Sequence, residues 1–315
     1  MEIAVTTKPT ISVVIPVYGS QQTLAELMDR LQAVLEDASR SWEVILVNDG
    51  SRDQSWSVIQ ELADRHSAVR GLDLMRNYGQ HNALLAGIRA ARNEVIVTLD
   101  DDLQHPPEEI PQLLAKLDEG YDVVYGTPQQ EQHGLWRDLA SRVTKLALQA
   151  SMGVEVARKV SAYRAFRAQV RGGFVHYQGP HASLDVLLTW ATSRFAAVPV
   201  RHEPRKAGAS NYTFRKLLVH AVNMVTGFSV LPLQLASLMG FGFTFFGLLV
   251  LIYVLSRYFL EGGSVAGFPF LASIIAIFSG AQLLTLGIFG EYLARMHFRL
   301  MDKPTYVVRF TTEDS

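Results

Sequence analysis

The chain has 315 residues, enough for one large domain or two smaller ones with an ample core. Its 29 Lys and Arg nearly balance 30 Asp and Glu, so nucleic acid held by overall charge is excluded as a partner. The absence of cysteine excludes disulfides and thiolate metal sites, and fits a reducing compartment.

The first ten residues hold no basic stretch leading into an apolar one. No secretory leader is expected, and the catalytic portion is expected to stay in the cytoplasm. Up to residue 216 the chain carries charges throughout and alternates strand and helix signals. Strands are expected at residues 12–17, 43–48, 69–74, 94–99 and 122–125, most of them rich in Val and Ile and without polar alternation. Strands buried on both faces read this way. Helical patterns lie between them at about 21–37, 54–66, 80–92 and 108–119, the last entered through Pro106, Pro107, Glu108 and Glu109. This order predicts an α/β fold, a mostly parallel sheet with flanking helices. A looser stretch follows, with a helix expected at about 135–151 and a strand at 195–200.

Residues 201–216 form a basic, Gly-containing linker into Phe214, Leu217, Leu218, Ala221, Val222, Val225 and Phe228, spaced as one face of a helix. No Asp, Glu, Lys or Arg occurs from Leu217 to Ser256, nor from Gly262 to Gly290. The first run is too long for one span at ~1.5 Å per residue. It divides into an interfacial amphipathic helix over 213–230, a break at Pro232 and a span at about 233–256; a second span covers about 268–290. Arg215 and Lys216 precede this hairpin, and Arg295, Arg299 and Lys303 follow it, so both termini are expected on the cytoplasmic side. The expected organisation is a catalytic domain over 1–212, the interfacial helix, and a membrane hairpin with its tail over 231–315. Gly240, Gly242, Gly247 and Gly287 on the spans would permit close helix packing, which leaves a homo-oligomer open.

In such a sheet, ligands bind beyond the carboxyl ends of the strands. Chemistry is therefore expected at 16–19, 48–53, 76–81 and 100–104. The last holds Asp100-Asp101-Asp102, in which Asp100 and Asp102 point the same way on extended backbone. Two such carboxylates suit Mg²⁺ or Mn²⁺ carrying a diphosphate. A solvated acidic loop is the bland alternative, and the company of three other polar strand ends argues against it.

Ile15-Pro16-Val17-Tyr18, Val47-Asn48-Asp49-Gly50-Ser51, Arg76-Asn77-Tyr78-Gly79-Gln80-His81 and Thr98-Leu99-Asp100-Asp101-Asp102-Leu103-Gln104-His105-Pro106-Pro107-Glu108 occur in this order. Together they resemble the family 2 glycosyltransferases of GT-A fold. The hairpin ending in Gly290-Glu291-Tyr292, then Lys303-Pro304-Thr305-Tyr306, is similar to the polyprenyl-phosphate glycosyltransferase branch. That branch includes dolichyl-phosphate mannose synthases and undecaprenyl-phosphate glucosyl- and formamidoarabinose transferases, and the 76–81 string is closest to the last. The resemblance covers nearly the whole chain. It implies inverting transfer of a sugar from a UDP, GDP or dTDP donor to a polyprenyl phosphate at the cytoplasmic membrane, with Mg²⁺ or Mn²⁺. It further implies Asp102 as principal metal ligand, Asp100 near ribose and metal, and Gln104 reaching the metal. Asp49 and the turn Pro16 to Tyr18 would form the base and ribose pocket. Arg76 reads equally as a contact to that pocket or as a surface cation. Asp101 falls where relatives carry a small residue and is expected to matter least, while His81 and His105 read as polar helix starts rather than ligands. Arg201, Arg205, Lys206, Ser210, Arg215 and Lys216 are candidates for the acceptor phosphate, with general attraction to anionic lipid open for each cation.

Three departures stand out. Gly19-Ser20 replaces the usual Asn-Glu, Pro128 stands where relatives often carry Arg, and Arg158 lies near an expected acid. A sugar hydroxyl needs a base, whereas a phosphate monoester, with a second pKa of about 6, arrives largely ionised. Loss of the acid thus points to a phosphate acceptor, with Arg158 or Arg164 expected to bind it. A processive synthase would need more spans and a Gln-x-x-Arg-Trp string. An inactive membrane scaffold, or transfer to another membrane lipid, stands as the alternative.

Overall fold

The computed structural model describes residues 8–128, 160–179, 183–203, 231–261 and 267–313. The chain divides into two compact units, residues 1–218 with 302–315, and residues 219–301. The helices expected at 135–151 and 213–230 lie outside the described residues.

The first unit is built on strands β1 (Thr10–Val17), β2 (Ser41–Asn48), β3 (Val69–Leu74), β4 (Val95–Thr98), β5 (Val123–Pro128), β6 (Arg164–Arg167), β7 (Phe195–Val200) and β8 (Val308–Thr311). They form one sheet in the order β7-β5-β6-β4-β1-β2-β3-β8. The pairs β1–β2, β1–β4, β2–β3 and β5–β7 are parallel. β6 runs antiparallel between β4 and β5, and β8 runs antiparallel along the outer edge of β3. Helices α1 (Leu24–Ala38), α2 (Ser55–Arg65), α3 (Gln80–Ala90), α4 (Ile110–Asp118) and α5 (Leu184–Thr189) complete the unit.

The sequence explains these elements directly. Ile11 through Val17 are all buried, as a central strand covered on both faces requires. α1 buries Leu24, Leu27, Met28, Leu31 and Leu35, the single stripe expected of a helix packed on a sheet. α4 does the same with Ile110, Leu113, Leu114 and Leu117. α3 packs closer, because Gly87 faces the sheet: a Cβ there would lie 2.4 Å from Val14 Cγ1 and 3.0 Å from Val47 Cγ2. β1 lies between β4 and β2, so its outgoing connection and that of β4 leave from neighbouring positions. That arrangement opens a crevice at the carboxyl edge.

The second unit comprises α6 (Leu231–Glu261) and α7 (Phe268–Leu300). Pro232 sits at the start of α6, where its missing N–H costs nothing. Their membrane-length apolar stretches are Leu233–Ser256 and Ile277–Ala294, and the most apolar window of each is wholly unburied. At ~1.5 Å per residue the first of these exceeds the ~30 Å hydrocarbon core. Buried helices of a soluble core would not leave Leu238 and Phe241 at 68% and 76% exposure. The helices meet where the ring of Phe278 reaches Phe243, centroids 5.6 Å apart, and comes within 3.3 Å of a Cβ placed on Gly247. Gly247 thus serves the hairpin itself, whereas Gly240, Gly242 and Gly287 face open space.

Gly87→Val should lower stability by at least about 2 kcal/mol, since overpacking of this kind costs ~1–3 kcal/mol and the added methyls meet branched side chains of two central strands. A thermal melt of the detergent-solubilised protein measures it.

Candidate active site

Four chain segments reach the carboxyl edge of the sheet and line a cleft of about 240 Å³. Pro16, Val17 and Tyr18 come from the end of β1, and Asp49 from the end of β2. Asn77, Gly79 and Gln80 come from the connection between β3 and α3, and the three aspartates from the end of β4. Of the expected site residues, Pro16, Tyr18, Asp49, Asp100 and Asp102 therefore share one cleft.

Each aspartate of the triplet is held by a different partner. Asp100 Oδ1 accepts a 2.6 Å bond from Gln80 Nε2, at the first residue of α3. Asp101 Oδ2 accepts from the Tyr18 N–H at 3.2 Å and from the Ser20 hydroxyl, while its carbonyl accepts from the Thr23 hydroxyl at 2.7 Å. Burial raises the Asp101 carboxyl to a pKa of about 6, against the pull of those donors. Asp101 is therefore the clamp that ties the β4 end to the β1–α1 connection, a role opposite to the spare position expected from sequence. Ser20, one of the departures from the family pattern, is the clamp's other half. Asp102 Oδ1 accepts from the Gln104 N–H at 3.1 Å, closing a tight local turn. Between them Leu103 adopts a left-handed backbone, φ 62°, and buries its side chain. Such strain at a non-glycine residue is a mark of a functional turn.

Asp49 is fixed as firmly. Its two oxygens accept the backbone N–H groups of Tyr78 at 2.6 Å and Gly79 at 2.8 Å. Burial raises its pKa despite those two bonds. Gly50 follows with φ +67°, and a Cβ on it would stand 2.6 Å from the Asn77 backbone nitrogen, so only glycine fits beneath the loop. Arg76 stacks its guanidinium 4.6 Å from the centre of the Tyr78 ring and does not line the cleft wall.

The remaining expectations separate. Arg164 is buried at 2% side-chain exposure in a 2.6 Å ion pair with Asp185, whose carboxylate also accepts from the Tyr125 hydroxyl at 3.2 Å. A guanidinium so enclosed braces the wall, a partnership with Asp185 that the sequence did not lead one to expect. Arg201 pairs with Glu109 and Arg30 bridges Glu108 and Glu203, so residues 201–203 lie along the turn at 104–109. The Glu203 N–H also donates to the Gln104 carbonyl at 2.9 Å. Arg158, Arg205, Ser210 and Arg215 lie outside the described residues. His105 is buried between the rings of Tyr163 and His202, and burial foremost lowers its pKa to about 4, keeping it neutral. His81 Nδ1 accepts the Leu184 N–H at 3.3 Å and so caps α5.

Sequence reading missed Gln80, Ser20, Ser51 and Asp185. Ser51 and Gln80 lie within quoted strings and Ser20 in a named departure, but none was given its bonding role; Asp185 follows no motif. Removing the Arg164 guanidinium with Arg164→Ala leaves Asp185 buried and unpaired, so stability should fall by about 3–5 kcal/mol, read as the shift of the melting midpoint.

No group of three or more acidic or imidazole side chains poised for a metal occurs among the described residues. The donor set nonetheless fits Mg²⁺ or Mn²⁺ as such ions are held with nucleotides, by one or two carboxylates and the diphosphate itself. Asp100 and Asp102 supply that pair on the wall of the cleft.

The family model described as "Glycosyl transferase family 2" matches residues 12–172. The undecaprenyl-phosphate 4-deoxy-4-formamido-L-arabinose transferase of Pseudomonas aeruginosa (strain LESB58) is 37% identical over 301 residues, covering 95% of this chain and 89% of the relative. The protein of the same name from Enterobacter sp. (strain 638) is 37% identical over 306 residues, covering 95% and 92%. Among solved structures, glucosyl-3-phosphoglycerate synthase from Mycobacterium tuberculosis, in complex with Mn²⁺, uridine diphosphate and glucosyl-3-phosphoglycerate, superimposes with a TM-score of 0.52 at 20% identity. It covers 69% of this chain and 78% of its own. That likeness concerns the fold. The triplet at the β4 end, the glycine-floored Asp49 loop and the sheet order thus belong to a sequence that matches one family across its catalytic half and its named relatives over nearly its whole length: the chain is a member of the family 2 glycosyltransferases.

Proposed function

We propose that the protein transfers a sugar from a nucleoside-diphosphate donor to undecaprenyl phosphate at the cytoplasmic face of the membrane, forming a lipid-linked sugar phosphodiester. The observation that carries this reading is the meeting of Asp100 and Asp102 with Asp49 in one cleft at the sheet's carboxyl edge. Asp49 and the turn from Pro16 to Tyr18 hold the nucleoside, and Asp100 and Asp102 face its diphosphate. A divalent ion in that cradle supplies neutralisation of the charge that grows on the leaving diphosphate. Gln80 and the Asp102–Gln104 turn keep the two carboxylates oriented.

The acceptor chemistry agrees with the residues. A phosphate monoester is already ionised near neutral pH, so attack on the anomeric carbon requires no protein base. Neither Arg164 nor His105 has to move a proton, and both are enclosed. Arg201, Arg205, Ser210 and Arg215 remain the proposed acceptor contacts, and Arg158 is a further candidate. The two unburied apolar helices account for an acceptor whose tail stays in the bilayer. With both termini cytoplasmic, the hairpin returns the chain to the side where donor is made. Since the curated relatives are named for 4-deoxy-4-formamido-L-arabinose, a nucleotide carrying that pentose is the first donor to test. An inactive scaffold has no use for a carboxylate triplet braced by three separate partners.

Purified protein in lipid nanodiscs, given labelled donors of the UDP, GDP and dTDP types, should convert undecaprenyl phosphate only with Mg²⁺ or Mn²⁺ present. Charge stabilisation of several kcal/mol implies that Asp102→Asn lowers kcat by at least about 100-fold, with Asp100→Asn close behind. Full activity of Asp102→Asn, or activity unaffected by chelation, would overturn the assignment.

A further inference from the structure

The tail that follows α7 does not end free. Thr305 is buried beside Arg89, whose guanidinium lies 5.4 Å from the centre of the Tyr306 ring. The Lys303-Pro304-Thr305-Tyr306 string thus fastens the tail to α3 before β8 pairs with β3. The pairing shifts register between Asp73 and Leu74, at the level of Arg309.

This irregularity puts Arg309 where two chains of contacts begin. Its Nη2 donates to the Met75 carbonyl at 2.8 Å, and the Met75 N–H donates to the Val307 carbonyl at 2.9 Å. The loop from Met75 to Gly79 is thereby held by the tail at one end and by Asp49 at the other. Arg309 Nη1 also lies 3.8 Å from Asp73 Oδ2. Asp73 is buried at 7% side-chain exposure, and its other oxygen accepts from Asn48 Nδ2 at 2.7 Å. Asn48 Oδ1 accepts the Ser51 N–H at 3.3 Å, and the Ser51 hydroxyl accepts the Gly19 N–H at 3.1 Å. Both routes from one guanidinium end on walls of the donor cleft: the Asn77–Gly79 wall and the Tyr18–Gly19 turn.

We propose that Arg309 is a positioning residue for the nucleotide-sugar pocket, through which the tail emerging from the membrane hairpin sets the width of the donor cleft. It touches no substrate. A buried carboxylate with one oxygen on Asn48 needs its second oxygen balanced, and a guanidinium provides that balance while holding a carbonyl on the neighbouring turn. Glu313, further along the same tail, makes ion pairs with Arg70 and Arg92 at the opposite end of β3, away from the cleft. Two anchors on one short tail, only one of them wired to the pocket, make a clean comparison.

The inference rests on the donor-pocket reading, and the test separates the two. Hydrogen exchange of the full-length protein in nanodiscs should show amides of residues 75–79 exchanging about tenfold faster in Arg309→Ala than in wild type, as loss of a charge-assisted bond implies. Glu313→Gln should leave them unchanged. With the donor that wild type uses, Arg309→Ala should raise donor KM about five- to tenfold and leave kcat within about twofold, with Arg309→Lys between the two. Unchanged exchange at 75–79, or equal effects of Glu313→Gln and Arg309→Ala, would overturn the proposal, and so would a fall in kcat with KM constant. A wild-type protein that turned over no nucleotide sugar would sink the pocket reading, while the exchange data would still judge the strut.

Discussion

Like charges at close quarters must be held apart or bridged, and the active-site architecture follows from that constraint. Three successive carboxylates at the end of β4 would repel and splay in water. Each is instead committed to a different neighbour: Asp100 to Gln80 on α3, Asp101 to the β1–α1 connection, and Asp102 to its own turn. The strained Leu103 backbone fixes the geometry by burying its side chain in the core. What results is a pair of oriented carboxylates on the wall of one cleft, a donor set that suits a divalent cation and a diphosphate. The sheet order matters because β1 lies between β4 and β2, which places the Asp49 loop at the end of β2 across β1 from this donor set.

The two apolar helices and the acceptor chemistry fit one another, since the named relatives act on a lipid phosphate. A phosphate acceptor arrives ionised, which removes the need for a base and leaves buried groups such as Arg164 and Asp185 free to brace the sheet. The departures from the family pattern then make structural sense. Ser20 and Asp101 complete each other, and Gly19 donates to Ser51. In place of an Asn-Glu contact the molecule has an internal clamp.

Much of this was legible in the sequence. Strands at 69–74 and 195–200 agree with the structure to the residue: Phe195–Val200 is a wholly apolar run, while Val69–Leu74, interrupted by Arg70, Gly71 and Asp73, is delimited by the helical patterns on either side of it. The apolar helices were visible as charge-free runs, although α7 continues past Gly290 to Leu300, where Leu, Ala, Met and Arg are good helix formers and no breaker intervenes. β6 and β8 were not legible. Four residues with Arg at both ends, Arg164 to Arg167, carry no alternation signal, and the exposed edge strand β8 reads as polar tail. Both owe their strand geometry to neighbours already in the sheet. In the site, Pro16, Tyr18, Asp49, Asp100 and Asp102, read from motifs that end strands, line one cleft, whereas Arg76 and Gln104 from the same strings do not, and Arg164 pairs with Asp185. A formal charge tells where a residue can pair, and only packing tells with whom.

The most direct measurement is the phosphorus spectrum of the lipid product. Purified protein in nanodiscs containing undecaprenyl phosphate, supplied with donor and Mg²⁺, should convert the lipid's ³¹P resonance from a phosphate monoester to a phosphodiester, with loss of signal when Asp102 is changed to Asn. A monoester resonance that persists while sugar is transferred elsewhere, or while the donor is merely hydrolysed, would contradict the account.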